Sequence, residues 1–451
     1  MTETVDETRL KMRRVLRTWW PLAASWILMG FENPAISAVV SRLADPKVNL
    51  AAYGGLIFPL TLMIEAPIIM LLAASTALSR DWASFLKLRH FMVWMGAVLT
   101  TLHVVMVATP VYGFLAKSVI HAPEEIVGPA RIGLLITIPW TWSIAYRRFH
   151  QGVLIRFGHS LKVALGTGVR FTADATVLAI GYLLGNVSGI VIAACTLVAG
   201  VVSEALYVHF AVRTTLRMQL MPAPALHHRL TTRALLSFYI PLSLTQILLL
   251  LVNPIGSAAM GRMPLALESL AAWPVVASAS YITRGFGGAY NEVVVALVEE
   301  RHSAPVLRRF GVILAVAATT LLLLLMIPPV GAAIFAGALG LVDPLPHLVS
   351  MGLFFLLPLP AISVAQSYLQ GVILHSRRTR AIGESVALFL VLASVLLVVG
   401  SLWGPLSGIY FALLSFTMGE CLRTLWLWLR SREARHYLRE RDAEPETNAG
   451  C

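Results

Sequence analysis

The chain has 451 residues, 57% of them hydrophobic and 13% charged, with a mean hydropathy of +0.77 and a formal net charge of +12. Apolar runs near twenty residues long recur from end to end, the length that crosses a hydrocarbon core, which excludes a soluble fold. The positive charge sits between those runs and reads as attachment to anionic lipid, not to nucleic acid.

In chain order, a cytoplasmic segment (1–17) leads into six predicted spans near 18–42, 50–78, 91–115, 128–150, 160–184 and 188–212. Together they form an N-lobe over 18–212. A cytoplasmic linker (213–233) carrying Pro222, Pro224, His227 and His228 follows. Six more spans, near 234–262, 268–297, 308–337, 346–373, 380–402 and 405–429, form a C-lobe over 234–429. The charged tail (430–451) is expected to fray into disorder. In hydrocarbon the backbone must satisfy its own hydrogen bonds, so the spans are helices. The first run is too long for a cleavable signal and belongs to a repeat.

That repeat is the most informative feature. Residues 21–53 lie on 241–273 without a gap, and twelve of the thirty-three positions are identical, among them Asn33/Asn253, Pro34/Pro254 and Arg42/Arg262. After a slip of one residue the register continues at an offset of 219. It runs through Pro110/Pro329, Gly133/Gly352 and Gln151-Gly152-Val153/Gln370-Gly371-Val372 to Ser188-Gly189-Ile190/Ser407-Gly408-Ile409. Six spans per unit is an even number, so both units enter from the same side as parallel repeats. Such duplication points to a transporter whose halves move against each other.

Lys and Arg set the orientation. Twenty-seven of the thirty-five lie before span 1, after even-numbered spans or in the tail. Five lie on the other side (Arg42, Lys47, Lys117, Arg131 and Arg262), and Arg170, Arg284 and Arg423 fall within spans. The positive-inside rule places both termini in the cytoplasm of a multi-pass protein of the cell (inner) membrane. Cys195, Cys421 and Cys451 have neither disulfide nor metal spacing. No phosphate-binding glycine loop or catalytic triad pattern is present, so no cofactor and no enzymatic activity are expected.

Ionisable groups inside spans are costly and mark functional candidates. These are Glu32, Glu65, Arg170, Asp174 and Arg284, with His103 and Glu384 in the second rank. Glu32 is matched by Val252 and Asp174 by Ala393, so the charges break the symmetry that the prolines keep. Asn33-Pro34 and Asn253-Pro254 kink spans 1 and 7 at matching depth, freeing carbonyls for a ligand or a neighbouring amide; packing alone is the competing account. Glu65 falls opposite Arg284 or Gly285, depending on where the slip lies. Glu65 and Arg284 are expected to face each other across the cleft, as exchanging partners or as a static pair. Arg170 and Asp174, four apart on one helix face, either neutralise each other or divide anion binding from proton uptake. Gln151 and Gln370 read as hydrogen-bonding glue, Arg147 and Arg148 as cytoplasmic anchors or an anion vestibule. Glu420 and Arg423 read as an ion pair and His103 as a packing histidine. Glu292, Glu299 and Glu300 reach water and are discounted. The candidate substrate ligands are thus Arg284, Arg170, Asn33 and Asn253; the candidate ion-coupling or gating groups are Glu32, Glu65 and Asp174.

The six-plus-six plan with a proline in spans 1 and 7 resembles the MATE-like superfamily of exporters and flippases. Short stretches are similar to the progressive ankylosis (ANKH) protein family. They are Leu50-Ala51-Ala52-Tyr53-Gly54 with Pro67 beyond, Ser79-Arg80-Asp81, Leu236-Ser237-Phe238 before Pro241-Leu242, Trp273-Pro274 and Gly419-Glu420. The register covers most of residues 15–430. The resemblance implies a two-lobe architecture and export of small polyanions of the citrate, pyrophosphate or nucleotide class.

The expectation is therefore an all-α polytopic membrane protein with twelve transmembrane helices. It acts as a secondary transporter of a small organic or phosphate-containing anion by alternating access, with proton or sodium coupling and the lipid bilayer as its surroundings. The competing readings are a proton- or sodium-coupled antiporter of organic cations and a membrane enzyme or lipid flippase.

Overall fold

The computed structural model describes residues 11–225, 230–298, 300, 302–375, 380–404 and 406–443, so His227, His228, Glu299 and Cys451 lie outside the described residues. Every described element is helical. Twelve rods follow one another: α1 (Met12–Gly30 and Glu32–Val40), α2 (Pro46–Leu78), α3 (Trp82–Ala108), α4 (Glu124–Ile136 and Ile138–Arg156), α5 (Ser160–Leu184) and α6 (Gly189–Leu220). Then come α7 (Thr232–Leu250 and Val252–Met260), α8 (Ala266–Leu297), α9 (Ser303–Met326), α10 (Leu345–Leu356 and Leu359–His375), α11 (Arg380–Trp403) and α12 (Gly408–Arg430).

Each of the twelve expected spans falls, wholly or for most of its length, on one of these rods. Seven of the described helices are individually long and apolar enough to cross a membrane, and α10 makes an eighth as a pair bent by 41°. The other four, α1, α4, α8 and α12, carry Glu32, Arg147 and Arg148, Arg284, and Glu420 and Arg423, which lower their hydropathy. Spans 3 and 9 were expected to run to 115 and 337. Instead α3 stops at Ala108 and α9 at Met326, and separate turns ending in π-helix, Phe114–Val119 and Ala332–Ala338, follow Pro110 and Pro328-Pro329. Proline cannot continue a helix, and both halves stop at the same place for that reason.

The prolines of α1 and α7 break their helices where the ring of Pro34 or Pro254 meets the carbonyl four residues back. α1 is interrupted at Phe31 and α7 at Leu251, which are equivalent positions. In α7 the freed carbonyl of Leu250 accepts a hydrogen bond from Asn253 Nδ2 at 3.3 Å. In α1 the equivalent Asn33 instead accepts one from Tyr53 Oη at 2.6 Å.

The repeat recurs as matched contacts. Ile190 N donates to Asn49 Oδ1 at 3.2 Å, and Ile409 N donates to Ser269 Oγ at 3.1 Å. This fixes the 220 offset at residue 49. A Cβ on Gly133 would meet Ile57, and one on Gly352 would meet Val276, which fixes the 219 offset by residue 57. Between them α2 contains a π-helical turn, Tyr53–Ile57, whereas α8 is continuous α-helix. A π-turn adds one residue to a helix, so the slip is this bulge. Glu65 is therefore equivalent to Arg284, not to Gly285.

The first and last described segments lie at one end of the molecule: Arg14 pairs with Glu300 at 2.9 Å, and Asp442 accepts from His302 N at 3.2 Å. The tail was expected to fray, but Arg432–Ala443 forms a helix, α13. It is docked by Arg441, which donates to the carbonyls of Val298 at 3.0 Å and Glu300 at 3.1 Å. Asp81 caps α3 by accepting from Ser84 N at 3.0 Å, a structural role for the Ser79-Arg80-Asp81 motif.

Candidate functional site

The symmetry-breaking charges gather into two separate sites, one in each half. In the N-terminal half, α1 presents Glu32 just past its break, and Arg170 of α5 donates to both of its carboxylate oxygens at 2.6 and 2.5 Å. Asp174 stands one turn further along α5, 3.8 Å from Arg170 Nε. The expected self-neutralising pair of α5 is thus the weaker contact, because Nη2 of Arg170 goes to both carboxylate oxygens of Glu32 on another helix. The Asp174 side chain is only 7% exposed, and neither of its oxygens has a hydrogen-bond partner among the described residues.

Below this group Arg147 of α4 is buried against Glu204 of α6, and Gln151 Nε2 donates to the same carboxylate at 2.8 Å. Arg147 was expected to be a surface anchor or vestibule residue; it is instead half of a buried ion pair. Glu65 is buried among the charges of Arg148, Arg147, Arg170 and Glu32. The described acids of this region are Glu32, Glu65, Asp174 and Glu204, and the bases Arg147, Arg148 and Arg170.

In the C-terminal half a cavity of about 490 Å³ opens between α7, α8, α10 and α12, with Trp26 of α1 as part of its wall. Arg284 of α8 reaches into it and pairs with Glu420 of α12 at 2.7 Å. Arg423 lies 3.4 Å from the same carboxylate, and Gln366 Nε2 donates to it at 2.8 Å. The Arg284 side chain is 37% exposed while Glu420 is only 3% exposed, so the guanidinium faces the open volume. Asn253, Gln246 and Gln370 line the same cavity. Two arginines against one carboxylate leave one positive charge over.

The expected pairing of Glu65 with Arg284 is absent: Arg284 pairs inside its own half and Glu65 sits among the arginines of the other. The residues are equivalent by the pseudo-two-fold, but each points into its own bundle. Among the seven candidate residues, Glu32, Arg170 and Asp174 come together, with Glu65 electrostatically coupled to Arg170 and Glu32 and with Asn33 beside them on α1. Arg284 and Asn253 share the cavity. Sequence reasoning missed Glu204 and Gln366. Their signal was the repeat, since Arg147/Gln366 and Glu204/Arg423 are equivalent positions that hold polar residues of different charge.

His103 bonds Thr141 Oγ1 at 2.9 Å and packs as expected. Glu384 serves the end bearing the termini, paired with Arg380 and Arg430, each at 3.1 Å. Among the described residues no three His, Cys, Asp or Glu side chains converge as a metal site.

At the end away from the termini the halves clasp each other. Arg42 donates to the carbonyls of Gly337 at 2.7 Å and Ala338 at 2.8 Å, at the close of the second π-turn. Its counterpart Arg262 reaches Ser118 O, at the close of the first, at 3.4 Å. Terminal carbonyls of a helix lack internal partners and carry partial negative charge, so an arginine suits both. Ser41 Oγ also donates to Leu339 O.

No protein-family model matches the sequence, and no curated protein matches it. Solved structures match nearly the whole chain. An inward-facing multidrug resistance MATE family transporter of the MOP superfamily is 17% identical, with a TM-score of 0.70 over 93% of this chain and 98% of that one. A MOP superfamily transporter from Pyrococcus furiosus, described as having a binding pocket of reversed polarity that suggests a different function, is 17% identical, with a TM-score of 0.64 over 98% and 100%. The lipid II flippase MurJ in an inward closed conformation is 11% identical, with a TM-score of 0.63 over 93% and 90%. At these identities the likeness establishes the fold: a polytopic helical membrane protein of MATE-like architecture. Resemblance to the progressive ankylosis family has no counterpart among these structures.

Proposed function

We propose that the chain is a secondary transporter that carries a small organic or phosphate-containing anion by alternating access between its two lobes. The observation that carries this reading is the C-lobe cavity, where Arg284 and Arg423 exceed Glu420 by one charge and Arg284 faces the open volume. An uncompensated positive charge inside a membrane-spanning bundle is costly, and an anionic ligand relieves that cost. The solved transporters of the same architecture support transport as the function class.

The N-lobe supplies the driving ion in this account. In its buried cluster the acids Glu32, Glu65, Asp174 and Glu204 outnumber the bases Arg147, Arg148 and Arg170 by one, and Asp174 has buried oxygens without a hydrogen-bond donor. A proton or sodium ion taken up at Asp174 changes how Arg170 is shared between Asp174 and Glu32, and so the seating of the part of α1 beyond its break. Because the inner part of α1 packs with the C-lobe core through Val15, Trp19 and Ala23, that change is transmitted to the cavity wall at Trp26.

One feature favours the organic-cation antiporter instead: Trp26, Trp273, Tyr281, Phe389 and Phe416 line the cavity beside Glu420, a lining that suits a flat cation. Uptake into proteoliposomes separates the readings. Radiolabelled citrate, pyrophosphate and an organic cation dye are offered across imposed pH and sodium gradients. The anion reading predicts anion flux that Arg284→Ala abolishes and whose gradient stimulation Asp174→Asn removes. Dye flux alone, retained in Arg284→Ala, establishes the antiporter.

A further inference from the structure

The two halves share one ancestry, so each position of the cavity has a counterpart that shows what a closed version of the same site looks like. In the N-terminal half the space is filled by Glu32, Arg170 and Asp174. Their equivalents in the C-terminal half are Val252, Phe389 and Ala393, and the first two line the cavity. That the positions correspond is shown by two glycines: a Cβ on Gly200 would meet Asp174 and Arg170, and one on the equivalent Gly419 would meet Phe389. One side of the cavity has thus become apolar where its counterpart is fully charged.

The polar side has changed in the opposite sense. Tyr53 donates to Asn33 in the N-terminal half and leaves no spare donor. Its equivalent Trp273 lines the cavity, is 6% exposed, and its indole N–H has no hydrogen-bond partner. Asn253 is turned to Leu250 O instead. Arg423 Nε, with a side chain only 9% exposed, likewise has no partner. Both orphaned groups are donors, and buried donors without acceptors are rare in native folds. Trp273, on the cavity wall, thus carries a buried donor without an acceptor, Arg284 and Arg423 exceed Glu420 by one charge, and the wall is apolar along Val252, Phe389 and Phe416.

Resting on the anion reading of this cavity, we propose that its ligand is an amphipathic monoanion: one carboxylate or comparable group on an apolar, preferably aromatic, body. The anionic group lies on Arg284 and Arg423, an oxygen accepts from Trp273 Nε1, and the body stacks against Phe389 and Phe416. A trianion such as citrate would carry charge in excess of what the site neutralises into a desolvated volume, which is unfavourable. The selectivity resides in Glu420, which holds the net charge of the site at one.

Calorimetric binding to the purified full-length protein tests this, with 1-naphthylacetate, citrate, pyrophosphate and the cation ethidium as probes. Naphthylacetate is expected to bind at least about tenfold more tightly than either polyanion. Trp273→Phe, which keeps the ring and removes the donor, is expected to weaken it about tenfold, as for loss of one charge-assisted hydrogen bond. Arg284→Ala should abolish binding, and Glu420→Gln, which adds one net positive charge, should shift preference toward citrate and pyrophosphate. Tighter binding of citrate or pyrophosphate by the unmodified protein overturns the monoanion and leaves the anion reading standing. Binding of ethidium alone, or of no anion, overturns both. Naphthylacetate affinity unchanged in Trp273→Phe and Arg284→Ala places the probe elsewhere and overturns the assignment.

Discussion

Asp174 rests so close to Gly200 that a Cβ there would fall 2.0 Å from its Oδ1 and 3.0 Å from the Arg170 side chain. Glycine at 200 is what lets the carboxylate sit in the bundle at all. Gly200→Ala is accordingly expected to destabilise the protein by about 1–3 kcal/mol, as overpacking does, and to displace Asp174. Its thermal unfolding in detergent should fall, and any proton or sodium stimulation of transport should fall with it. The buried pair of Arg147 and Glu204 behaves differently. Glu204→Gln leaves a buried guanidinium without its carboxylate, a loss of about 3–5 kcal/mol when one partner of a buried pair is removed. Glu65, which makes no ion pair among the described residues, should tolerate Glu65→Gln with far less effect on the melting temperature. Equal melting shifts for the two would mean that the Arg147 pair is not the structural anchor of this site.

At the scale of elements, the duplicated arginines Arg42 and Arg262 bind the π-turn carbonyls of the opposite half. In the proposed alternating-access cycle, opening the far end requires these bonds to break, so the latch would set the balance between the two states. Arg42, with two short cross-half bonds, carries more of it than Arg262, with one at 3.4 Å. Arg42→Ala should therefore raise the population open at the end away from the termini more than Arg262→Ala, and the double variant most. Spin-label distances between residues 117 and 336 report this directly: a longer distance in the order double, Arg42→Ala, Arg262→Ala is expected. An unchanged distribution in the double variant would show that the contact is incidental. The kinks of α1 and α7 were legible in Asn33-Pro34 and Asn253-Pro254 because proline acts on its own helix. The latch was not, because Arg42 and Arg262 acquire their partners only when the opposite half folds against them.

Over the whole molecule, the repeat carried most of what the sequence disclosed. Twelve rods, their parallel halves and their order follow from hydropathy and the 220/219 register, and the slip in that register is a physical π-turn in α2. What stayed hidden was the direction in which each charge points. Glu65 and Arg284 occupy equivalent sites, yet each pairs or couples within its own half, because helix rotation is set by packing that a linear pattern does not specify. The same limit disguised Arg147 as a surface anchor and left Glu204 unnoticed. Once the halves are superposed, the differences between them organise the functional account: charge filling one bundle, an open cavity with spare donors in the other.

The most direct test of that division is ligand protection of a single cysteine in each half, in a background where Cys195, Cys421 and Cys451 are serine. Gln246→Cys reports on the C-lobe cavity and Asn33→Cys on the N-lobe charge cluster. Alkylation at position 246 should slow with a transported anion even when no gradient is imposed, while position 33 should respond to a proton or sodium gradient even when no anion is present. Anion protection at position 33 with none at position 246 would contradict the account, placing the ligand in the half assigned here to the coupling ion.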